Sequence, residues 1–268
     1  MFGMSFLLTQ YLQSVLGFTP LESGVRFIPF AIAMVITAPM SAKLSAKFGT
    51  KQIVVSGLTL ILIALLSMTT LQVNSTYANA IWMMMLMASG MGLTMAPATS
   101  SVMNSLPREK AGVGSAMNDT TRMVGGALGL AISGSVFATI YRNNIKKSPS
   151  IGDVVFAMKQ SDIPVARREE LVSNLSDSLG KALGIANGLQ NPEVIVDPKL
   201  REQIANIPPE TRVNISKSIA KGAQYSFVEG MHAGLYISAA VTVIAIVVAL
   251  FWLPKNSLSE NQAAGTAH

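Results

Sequence analysis

The sequence has no cysteine and only two histidines, His232 and His268. The first absence removes disulfides, thiolate nucleophiles and cysteine-based metal sites, and the second removes a histidine-rich metal site, so no metal is expected. Charge is scarce as well: 13% of the 268 residues are charged against 50% hydrophobic, and the mean hydropathy is +0.45. A soluble domain of this size rarely combines these values, so lipid is the first solvent to consider. The net charge of +6 is not gathered into one basic stripe with interleaved aromatics, which excludes a nucleic-acid surface. There is no Walker-type glycine loop and no HExxH, and the glycines spaced four apart lie in apolar helix rather than after a strand. Neither an enzyme nor a bound cofactor is expected. Met1 is followed by no basic leader or small-residue cleavage pattern, so the chain reads as starting inside a span.

A helix needs about 20 mostly apolar residues to cross a bilayer, because only a helix satisfies its own backbone in lipid. Six segments meet or approach that length: 2–17, 25–44, 52–71, 78–103, 113–141 and 230–254. The last ends on Trp252, Leu253 and Pro254, an interfacial aromatic followed by a helix stop. Lys43, Lys47 and Lys51 surround the junction of spans two and three, and Arg108, Glu109 and Lys110 lie between four and five. The loops 17–24 and 72–79 hold one acid and no base. Short basic loops stay inside, so spans one, three and five run outward and the C-terminus is cytoplasmic.

Residues 142–229 are polar and too long for a simple turn, and the topology places them outside the membrane. Leu171, Leu175, Leu179 and Leu183 recur at helical spacing, as do Val213, Ile215 and Ile219 after Pro208 and Pro209. The segment is expected to form two or three amphipathic helices, either a cap on the bundle or a module that binds a substrate or partner. Residues 255–268 are expected to be a disordered cytoplasmic tail.

Three stretches carry a family resemblance. Residues 10–24, QYLQSVLGFTPLESG, with Arg26 and Pro29 after them, resemble the span and outer loop that open the C-terminal half of fourteen-span drug:proton antiporters of the major facilitator superfamily. Residues 111–129, AGVGSAMNDTTRMVGGALG, are similar to the penultimate span of those exporters, and 225–254, around FVEGMHAGLYISAA, to the last. A fourth match is partial. The superfamily's loop after span two typically reads Gly-x-x-x-Asp-Arg-x-Gly-Arg-Arg/Lys, and here Lys47, Gly49 and Lys51 remain while Ala46 stands at one of the departures. A charge latch without its acid is in doubt, and the lysines alone would set topology.

The resemblance implies an all-α plasma-membrane protein: six transmembrane helices as the C-terminal bundle of a major facilitator fold, with a helical extracytoplasmic insertion between the last two. The partners it implies are hydrophobic or cationic small molecules, protons, the lipid bilayer and a missing N-terminal half that holds the proton-coupling residues. The expected function is export of drugs and toxic compounds by proton antiport, with this half inactive alone. The rivals are a facilitator-type permease for a metabolite and a non-transporting membrane scaffold whose outer loop binds a partner.

Within the spans, Asp119 and Arg122 form the one ionisable pair, three residues apart on one helix face, with Asn118 beside them. They either line the transport path or fix packing near the cytoplasmic end. Gly125, Gly129 and Ser133 share a stripe that suits close helix packing or a pivot, and Pro97 introduces a kink into span four. Gln10 and Gln13 lie on one face of span one and must point into the bundle, as cavity groups or as interhelical glue. Met84, Met87, Met91 and Met95 share a face of span four, which either fills the core or forms a pliable pocket for differently shaped apolar molecules. Arg26 is expected to pair with Glu22 at the outer mouth of span two.

Overall fold

The structure is a computed structural model, and it describes residues 2–104, 107–147 and 209–253. Seven α-helices follow one another: α1 (Phe2–Ser14), α2 (Pro20–Arg26), α3 (Ile28–Phe48), α4 (Thr50–Met68), α5 (Tyr77–Asn104), α6 (Ala111–Lys147) and α7 (Pro209–Trp252). A single 3-10 turn, Arg108–Lys110, precedes α6. Five helical stretches are long and apolar enough to cross a membrane: Pro20–Phe48, Thr50–Met68, Tyr77–Met103, Ala111–Ile145 and Ala220–Trp252. Helix α1 has 13 residues, about 20 Å, against a hydrocarbon core of about 30 Å. The described residues thus supply an all-helical membrane architecture with five helices of spanning length, one fewer than the six spans expected.

The expected boundaries move where local chemistry starts or stops a helix. The second span begins at Pro20 instead of residue 25, because Thr19 and Glu22 form a capping box that opens α2. Helices α3 and α4 are separated by Gly49 alone, whose φ of 89° and ψ of 146° lie in a region open to glycine and to few other residues. The loop expected around the lysines is therefore one residue long.

Two further differences concern the region expected to be an outer loop. Helix α6 continues to Lys147, and α7 begins at Pro209, so 142–147 and 209–229 are helix. Val213, Ile215 and Ile219 belong to the continuous α7 and not to a separate amphipathic helix. No proline interrupts α7, and Glu229 is exposed while Ala223, Phe227, Val228 and Met231 are buried, so one helix passes from polar to apolar surroundings without a break. The leucine repeat 171–183 and the tail 255–268 lie outside the described residues.

Helix α5 packs between α3 and α4, α4 also contacts α7, α7 contacts α6, and α1 lies against α6 and α7. The core gathers at one end of this arrangement. It joins Met4, Leu7, Leu8 and Tyr11 of α1 to Ile61, Ala64, Leu65 and Met68 of α4, to Met83, Met84 and Met87 of α5, and to Phe137, Tyr141, Phe227 and Met231 of α6 and α7. Toward the other end α6 loses its partners: Met117, Met123 and Leu128 are all more than half exposed. In lipid, exposed apolar side chains cost nothing, so α6 can stand away from the bundle.

Candidate functional site: a cavity between α1, α5 and α6

The closed end is tied by polar groups that reach across helices. Tyr11 Oη donates to the Gln72 carbonyl at 2.9 Å, and His232 Nε2 donates to the Leu71 carbonyl at 2.8 Å. Helices α1 and α7 therefore hold the same two-residue stretch after α4. Tyr77 Oη donates to the Arg26 carbonyl at 2.8 Å, and the Arg26 guanidinium sits 3.6 Å above the Phe18 ring. The expected Glu22–Arg26 ion pair is replaced. The Glu22 carboxylate accepts from the Thr19 N–H at 2.9 Å and from its hydroxyl at 3.1 Å, while Arg26 donates to the Glu22 backbone carbonyl. The free N–H groups at the start of α2 attract the carboxylate more directly than a side chain one turn on.

Where α6 stands away, a cavity of about 420 Å³ opens. Its apolar wall is Phe2 of α1 with Met91, Met95 and Ala98 of α5, and its polar groups are Ser5, Thr94, Thr99, Asn118 and Arg122. Gly125 and Gly126 complete the α6 side. Residues 118, 122, 125 and 126 fall on one face at helical spacing, so α6 presents an amide, a guanidinium and two glycines together, the second covered by the Phe2 ring. Thr94 donates its hydroxyl to the Gly90 carbonyl of its own helix at 2.8 Å. The side chains of Ser5, Thr99 and Asn118 make no hydrogen bond among the described residues. Three uncommitted polar groups on a methionine-lined wall can orient a guest that the apolar surface retains.

The predicted residues divide. Asn118, Arg122 and Gly125 line this cavity, as do Met91 and Met95. Met84 and Met87 are buried in the core, so the methionine face serves both purposes in succession along α5. Asp119 stands outside the lining, 61% exposed, with its Oδ1 at 4.0 Å from Arg122 Nη1, the outer limit of an ion pair. Gln10 and Gln13 are half-buried and are not among the described residues that line this cavity; Gln13 is engaged within the chain. Pro97 lies inside α5, which continues through it to Asn104. Among the described residues Lys47 and Lys51 have no ion-pair partner, and Lys47 Nζ lies 5.2 Å from the Phe48 ring.

The stripe Gly125–Gly129–Ser133 is used in part: α1 comes close at Gly129 and Ser133, while the Cα faces of Gly125 and Gly129 are uncovered. A Cβ on either would meet nothing within 4 Å, because both look into open space. Gly125 and Gly129 also border a second cavity of about 190 Å³ shared with α4 and α7. The close approach of α1 to α6 is made by Gly3, whose Cβ would stand 3.1 Å from the Gly129 carbonyl oxygen. Phe2, Ser5, Thr94, Ala98 and Thr99 were missed. Thr94 and Ala98 extend the Met87–Met91–Met95 face by one turn, and that spacing is the signal that could have found them.

Comparison with known proteins agrees with this arrangement. The family model described as Major Facilitator Superfamily matches residues 1–130. Multidrug resistance protein Stp of Mycobacterium tuberculosis is 25% identical over 255 residues, covering 95% of this chain and 42% of its own. The tetracenomycin C resistance and export protein of Streptomyces glaucescens is 27% identical over 251 residues, 93% of this chain and 40% of its own. Riboflavin transporter RibZ of Clostridioides difficile is 30% identical over 159 residues, 59% of this chain and 35% of its own. The chain thus spans less than half the length of each of these relatives. Over residues 1–130 the chain is thus similar to the Major Facilitator Superfamily, and its apolar helices fit a multi-pass membrane protein.

Proposed function

We propose that this chain forms the C-terminal bundle of a longer transporter that exports hydrophobic, drug-like compounds in exchange for protons. The observation that carries the reading is the cavity between α1, α5 and α6: an apolar, methionine-bearing wall faced by Asn118 and Arg122. Such a wall accepts guests of varied shape, since methionine side chains adapt at little cost, while a few polar groups set orientation. Rocking of this bundle against a second one would expose the cavity to each side in turn. The names of two relatives, concerned with multidrug resistance and with tetracenomycin C export, favour drugs as cargo. The riboflavin transporter keeps a metabolite permease as the second reading.

The test uses inside-out membrane vesicles carrying the whole product of the gene, with a neutral fluorescent hydrophobic compound as cargo. Accumulation should follow the imposed pH gradient and collapse with a protonophore. Uptake indifferent to the gradient would overturn proton coupling. Uphill transport by the 268-residue chain alone in liposomes would overturn its status as half of the machine.

A further inference from the structure

We infer that the cavity selects amphipathic guests bearing an anionic or strongly hydrogen-bond-accepting group, and disfavours permanent cations. This rests on the cavity being a substrate site, and it narrows the hydrophobic or cationic class implied by the sequence to one with the opposite charge preference. Among the described residues Arg122 is the single charged side chain in the lining, and no carboxylate contributes to it. The nearest acid, Asp119, is one helix position past Asn118 and stands outside the lining, with 4.0 Å between its Oδ1 and one guanidinium nitrogen. A guanidinium carries five N–H donors in a planar fork, so one marginal ion pair leaves most of them for a guest. Asn118 adds a second donor one helical turn away, and the hydroxyls of Ser5 and Thr99 are uncommitted. A cation entering this space meets a like charge, whereas a carboxylate or phenolate meets a bidentate partner.

The geometry also supplies a control on size. A Cβ on Gly125 meets nothing within 4 Å, so a larger residue there fills the cavity without forcing helices apart.

The experiment uses the 268-residue chain purified into nanodiscs of zwitterionic lipid, with three naphthalene probes that differ only in their substituent: an acetate, its methyl ester and a trimethylammonium. The acetate should bind at least tenfold more tightly than the cation. Arg122→Gln should abolish that difference while leaving the ester within about twofold, Arg122→Lys should keep part of it, and Asp119→Asn should strengthen acetate binding. Gly125→Val should weaken all three. A cation that binds as well as the acetate, or acetate binding untouched by Arg122→Gln, overturns the charge preference alone. Binding of none of the probes, the ester included, overturns the cavity as a substrate site and the preference with it.

Discussion

Gly90 and Gly57 face each other where α4 crosses α5, and neither position has room for a methyl group. A Cβ on Gly90 would stand 2.6 Å from the Gly57 carbonyl oxygen and 2.9 Å from the Ile61 backbone nitrogen. Backbone cannot swing aside as the end of a side chain does, so the helices would have to part. In lipid no hydrophobic effect pushes helices together, and close backbone approach is a main source of attraction. We expect Gly90→Ala to cost about 1–3 kcal/mol, the range for forcing extra volume into a packed site. Gly134→Ala is the control, because its new methyl meets nothing within 4 Å and should leave stability unchanged or raise it by up to about 1 kcal/mol through helix propensity. Both are read from unfolding of the detergent-solubilised chain in rising SDS; equal losses would show that the α4–α5 approach is not what holds this pair. The contrast with α6 explains what a sequence can say at this scale. Spacing placed Gly125, Gly129 and Ser133 on one stripe, which is geometry internal to a helix. What stands opposite that stripe depends on a partner helix far away in the chain: Gly3 of α1 comes close at Gly129 and Ser133, whereas nothing stands opposite Gly125.

Single elements were legible where local chemistry decides them, and less so where a neighbour does. Hydrophobic length located the helical stretches of spanning length within a few residues at most ends. It expected a helix after Pro208 and Pro209 but a separate one, because its continuity with the last span is seen only when Phe227 and Met231 pack with Phe137 and Tyr141. The α3–α4 corner is the opposite case, a local device carried by one residue. Gly49 holds φ at 89° with its N–H bonded to the Ser45 carbonyl, and a side chain there is strained by about 1–3 kcal/mol. Gly49→Ala should lower stability by that amount and Ala46→Gly, on the preceding exposed turn, by less than about 1 kcal/mol; equal losses would show that the corner does not need the glycine. The other element-scale device is the tie at the closed end. His232→Leu removes the donor to the Leu71 carbonyl and should cost about 1–2 kcal/mol, as expected when a partly buried acceptor loses its partner. Hydrogen exchange should then rise first in 69–76, ahead of the helix interiors; uniform acceleration through α7 instead would mean that His232 stabilises its own helix only.

At the scale of the whole molecule the packed core lies at one end and the uncommitted polar groups at the other. Tyr11, Ala64 and Ala80 have no exposed surface, while Thr99 and Asn118 border the 420 Å³ cavity and α6 beside them is bare. A bundle built this way is closed where α1 and α7 grip the chain after α4, and open where α6 diverges. Nothing in the sequence announces that asymmetry, since Met84 and Met95 have the same chemistry and only their surroundings differ. The basic residues around Gly49 and at Arg108–Lys110 belong to the open end, because the α3–α4 and α5–α6 corners lie opposite the closed α4–α5 corner. Under the rule that short basic loops stay inside, we propose that the open end faces the cytoplasm. The absence of cysteine makes this directly measurable, as each single-cysteine variant reports without background. In inside-out membrane vesicles a membrane-impermeant maleimide should label Thr99→Cys and Asn118→Cys at least tenfold faster than Ala64→Cys, and a neutral hydrophobic guest should slow the first two. In intact cells none of the three should react quickly. Fast labelling of Asn118→Cys from outside the cell would reverse the orientation, and equal rates at residues 64 and 118 in the vesicles would remove the difference between the two ends on which the transport reading depends.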